Sequence, residues 1–569
     1  MEKILRIFGK ESISINQAAL FLGFFTLISQ ILALFRDRSL AHFVGPGQQL
    51  DAYYAAFRVP DLIFICVASL AGATVLIPFL AAKMPARQLS GGDGDKTDEA
   101  KKYLSDIFTV FFIVMISVSI LAFLLMPYLV SFIAPGFTPV FQAKLVALSR
   151  IMLFSPILMG LSNLFGTVTQ FFHKFFIYAL SPIFYNIGII VGVVFLYPIF
   201  DIYGLAIGVV FGAFMHFVIQ VFASSSCGFT PKFSLFPFAV NFKDIKKVAV
   251  TSLPRTLGLA FNNIALIFII SFASFLKVGS ISVFNFSFNL QSVPLNIIGI
   301  SYAVAAFPTL AKVVSLGKMD EFKNHLKSAA RAIVFWSMPV IFLFIVVRAQ
   351  IVRVILGSGN FSWDNTRLVA ACLAVFSVSI LAQGMITLLS RAYYANGDTK
   401  TPLIVNFSCS ILIIILSYVL IYSFENVLVF RYFIESMLKV SDIAGTEVLM
   451  LPLAYSTGTI LNSILHWFFV RRDFMKGESF ITKTFFQSLG ASFFLGLVAY
   501  IGLNIFSPIF GTTTLLGVFL QGFISGMLGI GAAILVLYLL KNEELKYIIQ
   551  TLKTKFWQAD IIAPAQEEL

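Results

Sequence analysis

Charge is scarce in this chain. Only 12% of its 569 residues are Asp, Glu, Lys or Arg, against about 25% in a soluble globular protein. With 59% hydrophobic and 15% aromatic residues, too little polar surface remains to face water. A soluble globular fold is excluded, and the composition implies an all-α polytopic membrane protein. Strand patterns are missing, and with them any phosphate-binding glycine loop of the kind that follows a strand. The four cysteines, Cys66, Cys227, Cys372 and Cys409, show no paired spacing, so neither a disulfide framework nor a zinc site is indicated. They read as small buried hydrophobes. The histidines His42, His173, His216, His325 and His466 are scattered, and no His-x-x-x-His or Gly-x-Ser-x-Gly run occurs. An enzyme is not expected, nor a metal or cofactor.

The formal net charge of +13 would raise nucleic acid as a partner in a soluble protein. Here a membrane accounts for it better, because cytoplasmic loops retain Lys and Arg. No nucleic acid is expected. The first apolar run is long and lacks a small-residue cleavage site, so it reads as a retained span.

A span needs about 20 mostly apolar residues. By that measure there are about fourteen, centred near residues 25, 70, 118, 158, 190, 213, 263, 300, 340, 378, 412, 460, 494 and 528. Basic residues crowd the even-numbered loops, which places both termini in the cytoplasm. Gln88 to Lys102 reads as a flexible cytoplasmic loop, and Glu425 to Thr446 as an external loop with room for a short helix. The last thirty or so residues read as a charged tail that need not pack.

The chain echoes itself. Ser181-Pro182 leading to Asn186 recurs as Thr401-Pro402 leading to Asn406, and Val59-Pro60 through Ile77-Pro78 recurs as Val293-Pro294 through Phe307-Pro308. The simplest architecture is a six-helix lobe over 1–225, a second over 226–475, two further transmembrane helices over 476–541 and a cytoplasmic tail over 542–569. Repeats packed about a central site are a common transporter design.

The candidate chemistry is charge inside the spans, where ionisable groups face cavities or the bundle interior. The stretch from Arg36 to Asp61 carries Arg36, Asp37, Arg38, Asp51, Arg58 and Asp61 about a Gly45-Pro46-Gly47 turn. Asp51 and Arg58 are two helical turns apart, about 10 Å along one face. Arg58 and Asp61 are neighbours on it. Two readings compete: pairs that merely neutralise one another, or Arg contacts to an anion with Asp linked to a cation or proton. For Arg36 and Asp37 the bland reading is a snorkelling interfacial pair. Arg255, after Pro254, is either a topology anchor or a further anion contact. Two or three arginine forks round one cavity suit a pyrophosphate. Asn285, Asn289 and Gln291 read as hydrogen-bonding links between helices.

LFRDRSLAHFVGPGQQLDAYYAAFRVPD, SLPRTLGLA at 252–260, RAYYANGDTKTP at 391–402 and the paired Pro-x-x-x-Asn steps resemble the MurJ (MviN-type) lipid II flippases. The resemblance covers nearly the whole chain. It implies an exporter of the MOP superfamily in the bacterial cytoplasmic (inner) membrane, which moves a polyprenyl-pyrophosphate-linked saccharide outward by alternating access. Its lipid tail would follow a groove on the last two helices, among membrane lipid. Arg36, Asp37, Asp51 and Arg58 match family positions, as does Arg255. Substrate binding then falls to Arg36, Arg58 and Arg255, and coupling or charge pairing to Asp37, Asp51 and Asp61. The chain departs from the family where Phe64 and Ile65 replace a double Arg, Ser69 and Leu70 an acid and Gly, Phe288 and Asn289 an Asp-Arg pair, and Gln30 a frequent Arg. A less cationic cavity is therefore expected. It leaves open another polyprenyl-linked oligosaccharide, or a drug carried by a cation-coupled exporter of the same superfamily. A coupling cation is open too. A non-transporting scaffold would tolerate Arg58→Ala and Asp51→Ala.

Overall fold

The computed structural model describes residues 15–68, 94–171, 175–226, 242–477, 481–511 and 513–557. Its described residues form helices and turns, with no strand among them. Eleven helices are long and apolar enough to cross a membrane, or twelve if the bent pair Trp363–Ser377 and Ile380–Ala395 counts as one span. They take up the expected centres from 118 to 528. The centre near 25 falls in the helix Ile15–Phe43, and the one near 70 lies outside the described residues, so the count of fourteen is not reached here.

Two sequence expectations change. Gly94 to Lys102, taken for loop, is the start of the 40-residue helix Gly94–Ile133. The rest of that loop is outside the described residues. The tail also folds: Glu543–Trp557 is a helix, with Leu545 buried against Phe335, Leu495 and Leu537. Glu543 meets Lys483 at 2.8 Å and Arg331 at 3.7 Å. In the stretch from Glu425 to Thr446 the short helix is Leu428–Leu438.

Contacts divide the chain into two units. The first comprises Met1–Leu290, Ile355–Cys372 and Thr399–Gly458; the second comprises Gln291–Val354, Leu373–Asp398 and Thr459–Leu569. In the first, helix Ile202–Ser225 packs closely on Phe175–Val191 and the π-helical turn Gly192–Leu196 that continues it, because Gly188 and Gly192 face Gly208 and Gly212 at the same four-residue spacing. A Cβ on Gly188 would stand 2.2 Å from Gly212 Cα, and one on Gly208 would stand 2.4 Å from Gly192 Cα. Small residues at that spacing let membrane helices approach and gain dispersion contacts where no hydrophobic driving force operates.

In the second unit the core gathers Phe322, Leu326, Ile333, Leu388 and Tyr393. The helix Leu515–Leu539 begins at Thr514, whose hydroxyl accepts from Gly517 N at 3.1 Å. Such a cap is worth about 1 kcal/mol. The two Val-Pro echoes acquire a physical meaning. Pro60 is followed by a π-helical turn at Phe64–Ala68, and Pro294 by another at Asn296–Ile300. Proline removes a backbone donor, and a locally widened turn absorbs the misfit.

Candidate functional site

A polar cavity of about 340 Å³ lies within the first unit, lined by Arg36, Tyr53, Tyr54, Arg58, Asp61, Tyr185, Asn285 and Asn289 among others. The first hairpin supplies nearly half of its lining. The helix Gln48–Ala56 ends at Phe57 and a new one, Arg58–Ile63, starts immediately. Asp51 and Arg58 both reach the helix Ser280–Leu295, at Ser282 and Asn285, so the two share one face as their spacing suggested.

Arg58 donates from Nη2 to Asn285 Oδ1 at 2.7 Å. Among the described residues this neutral amide is its one side-chain hydrogen-bond partner, and its Nε is buried without any. Asp61 lines the same cavity, close enough for electrostatic attraction to Arg58, but makes no hydrogen bond to it. A half-buried cation that keeps unused donors beside a cavity is poised for an anion.

Arg36 is held differently. Its Nε and Nη2 donate to Asp37 Oδ1 at 3.0 and 2.8 Å, and its Nη1 to Asn186 Oδ1 at 3.3 Å. Asp37 is 2% exposed and accepts from Asn289 Nδ2 at 3.1 Å. The pair therefore sits in the protein interior, and the snorkelling reading does not describe it. Arg36 still lines the cavity, but a carboxylate already offsets its charge.

Asp51 has a separate task. It caps the helix Ser280–Leu295, accepting from Gly279 N at 2.6 Å, Ser282 N at 2.7 Å and Ser282 Oγ at 2.6 Å. It is 3% exposed. Orphan donors at a helix start are matched there by a full negative charge. Further bonds tie the same end of the hairpin. Arg38 donates to Ile355 O at 3.1 Å, Asn360 N to His42 O at 3.0 Å, and Asn360 Nδ2 to Phe43 O at 2.8 Å. Gly45 adopts φ 74°, and a Cβ there would meet Asn360 O at 2.7 Å, so this close approach needs glycine.

Arg255 lies in the helix Phe242–Ala273, with its side chain outside the described residues. Of the six candidate residues, then, the structure brings Arg36, Arg58 and Asp61 to one cavity, sets Asp37 behind Arg36 and removes Asp51 to a helix cap. Asn285 and Asn289 link helices as their type suggested, and Gln291 accepts from Gln383 at 3.1 Å. Sequence reasoning did not assign a role to Asn186. Its place four residues after Pro182 in a repeated Pro-x-x-x-Asn step was the available signal.

A family model described as lipid II flippase MurJ matches residues 40–520. The chain is similar to a probable lipid II flippase MurJ of Rhizobium tropici, 26% identical over 66% of this chain and 70% of that protein. It is similar to the lipid II flippase MurJ of Burkholderia cenocepacia, 24% identical over 68% of this chain and 74% of that one. Among solved structures, lipid II flippase MurJ in an inward closed conformation aligns with a TM-score of 0.70 at 21% identity, covering 93% of this chain and 100% of that one. An inward-facing multidrug resistance MATE family transporter of the MOP superfamily aligns at 0.59 and 14% identity, over 79% and 95%. At such identities structural likeness speaks to the fold alone.

Proposed function

The chain belongs to the lipid II flippase MurJ family, and from that premise we propose that it carries lipid II from the inner to the outer leaflet of the bacterial cytoplasmic membrane by alternating access. Both termini would be cytoplasmic, and the lobes over 1–225 and 226–475 would exchange access to the site. The observation that carries the reading is Arg58: a half-buried guanidinium, bonded to a neutral amide, with its Nε buried and unpartnered, beside a cavity. A pyrophosphate offers what that fork lacks, paired anionic oxygens in a plane.

Arg36 adds a second cation, with Asp37 limiting its strength, and Asp61 neutralises Arg58 when no anion is bound. Arg255 would supply a third contact from its own helix. The hydrogen bonds of Asp51, Arg38 and Asn360 would lie at the outer end and hold it closed. Phosphate oxygens would displace Asn285 and Asp61 from Arg58, and the hairpin would release the cap of Ser280–Leu295 as the outer side opens. An inside-negative potential favours outward movement of an anionic head, by about 2.3 kcal/mol per charge per 100 mV. The polyprenyl tail would remain in lipid along the last two helices, Thr482–Phe510 and Leu515–Leu539.

The test is complementation of a flippase-depleted bacterium. The intact gene should restore growth and outer-leaflet lipid II, and Arg58→Ala should not. Failure of the correctly inserted wild-type protein to rescue would refute this substrate.

A further inference from the structure

A second polar chamber, of about 360 Å³, lies within the first unit and is lined by Thr26, Ser29, Gln30, Ser162, Asn163, His216 and Gln220 among others. It has room for several waters, each occupying about 30 Å³ in the liquid. Nothing in the transport reading uses it.

Its one titratable group among the described lining residues is His216. Ser162 Oγ lies 2.7 Å from His216 Nδ1 and donates to His216 O at 3.1 Å. A hydroxyl has a single hydrogen, and a carbonyl can only accept. The tautomer decides the direction of the 2.7 Å contact: where Ser162 donates to the carbonyl, Nδ1 donates to Oγ, and the neutral ring then keeps its lone pair on Nε2. Among the described residues Nε2 has no hydrogen-bond partner, so it can take a proton without breaking either bond.

His466, in the second unit, makes the contrast. Its Nδ1 bonds Asn462 O at 3.0 Å and its Nε2 lies 3.2 Å from Ser390 Oγ. Both nitrogens are engaged, leaving no acceptor free.

The chamber adjoins the arginine cavity through one residue. Asn186 donates to Ser29 Oγ at 3.4 Å on the chamber side and accepts from Arg36 at 3.3 Å on the other. We propose that His216 is a proton-binding site whose occupancy is linked, across Asn186, to anion binding at Arg36 and Arg58. On uptake an N–H bond forms at Nε2 while hydronium in the chamber gives up its proton and becomes water; release reverses this. An anion in the neighbouring cavity stabilises the imidazolium, so by reciprocity the imidazolium strengthens anion binding.

The surrounding charges do not compete for this role. Helix Phe154–Phe171 carries no ionisable side chain, and Phe175–Val191 carries only Tyr178 and Tyr185. On Ile15–Phe43, Arg36 and Asp37 pair and Arg38 bonds Ile355 O. On Pro139–Met152, Lys144 lies over Phe141 and Arg150 donates to Phe123 O. Gln48–Ala56 contributes Asp51, which caps a helix, and Tyr53 and Tyr54, which line the arginine cavity. Tyr197 donates to Gln49, and Asp201 accepts from Gln49. Tyr203, on His216's own helix, is more than three turns away along the axis.

The anion arm rests on the transport reading; the proton arm does not. The test uses full-length protein in lipid nanodiscs with nitrogen-15-labelled histidine. The resonance lost in His216→Gln should change from an unprotonated to a protonated Nε2 between pH 8 and pH 4, while the one lost in His466→Gln should not. A His216 signal that never titrates overturns the proposal, and His216→Asn assigns the same resonance where the Gln variant folds poorly. Inorganic pyrophosphate is then bound calorimetrically at pH 8 and pH 4.5, in buffers of differing ionisation enthalpy. Wild type should gain affinity over His216→Gln by on the order of fivefold at the lower pH, the low end of site–site coupling, with extra proton uptake. Equal gain and equal uptake in both proteins overturns the linkage. Titration of His216 without any pyrophosphate binding would refute the arginine reading and leave the proton site standing.

Discussion

Replacing Asp51 by Asn tests whether this carboxylate is a structural cap or part of the binding machinery. The change is nearly isosteric, yet it swaps one acceptor oxygen for a donor NH2. Three donors now converge on Asp51, two of them backbone N–H groups at the start of Ser280–Leu295. Asn can serve the Ser282 pair with its single oxygen, and its amide then opposes Gly279 N–H. An unsatisfied buried donor costs about 1–3 kcal/mol. Losing the charge at a helix N-terminus costs about 0.3–1 kcal/mol, up to about 2 when partly buried. A loss of about 3 kcal/mol is therefore expected, roughly a hundredfold in the population of this hairpin arrangement. The assay is thermal unfolding of the purified protein in detergent, with cysteine labelling at Gln48→Cys to report hairpin opening. Asp51→Asn should melt at lower temperature and label faster, and calorimetric pyrophosphate affinity should change little. Unchanged melting and labelling together with a large loss of anion affinity would refute the cap and return Asp51 to the binding site.

Arg58→Ala should abolish complementation, and Arg58→Lys should recover little of it, because an ammonium keeps the charge but not the fork; growth rescue and pyrophosphate calorimetry measure both. Gly188→Val should destabilise by more than 1–3 kcal/mol, the usual range for overpacking, since even a Cβ would stand 2.2 Å from Gly212 Cα; unfolding midpoint and yield of inserted protein report it. On the surface, Arg367 grips both oxygens of Asp442 and holds its carboxyl below the usual carboxylate range. A depressed folded value stabilises above the unfolded pKa and is lost as pH falls through the folded one. Wild type should thus lose this contribution only in acid, and Asp442→Asn should lack it at neutral pH, read as a small difference in melting that closes at low pH.

Much of the architecture was legible in order along the chain. Twenty apolar residues can do little but span a bilayer as a helix, since every backbone polar group must be satisfied internally. The expected centres from 118 to 528 therefore coincide with helices here. Position in the spans also pointed Arg58 and Asp61 inward, because hydrocarbon rejects charge, whereas for Arg36 and Asp37 a snorkelling interfacial pair competed. Partnership was not legible. Spacing put Asp51 and Arg58 two turns apart on one face, and both do meet the helix Ser280–Leu295, but only the packed chain made one the cap at Ser282 and the other the partner of Asn285 at the cavity. Arg36 was read as an anion contact or as half of a snorkelling pair with Asp37, and the packed chain adds Asn186 to Arg36 and Asn289 to Asp37. The tail looked like solvated charge, yet Leu545 found a core and Glu543 found Lys483. Burial is a property of residue type, so a single residue announces it. A hydrogen-bond partner lies tens or hundreds of positions away, as Asn186 and Asn285 do, and only the packed chain selects it.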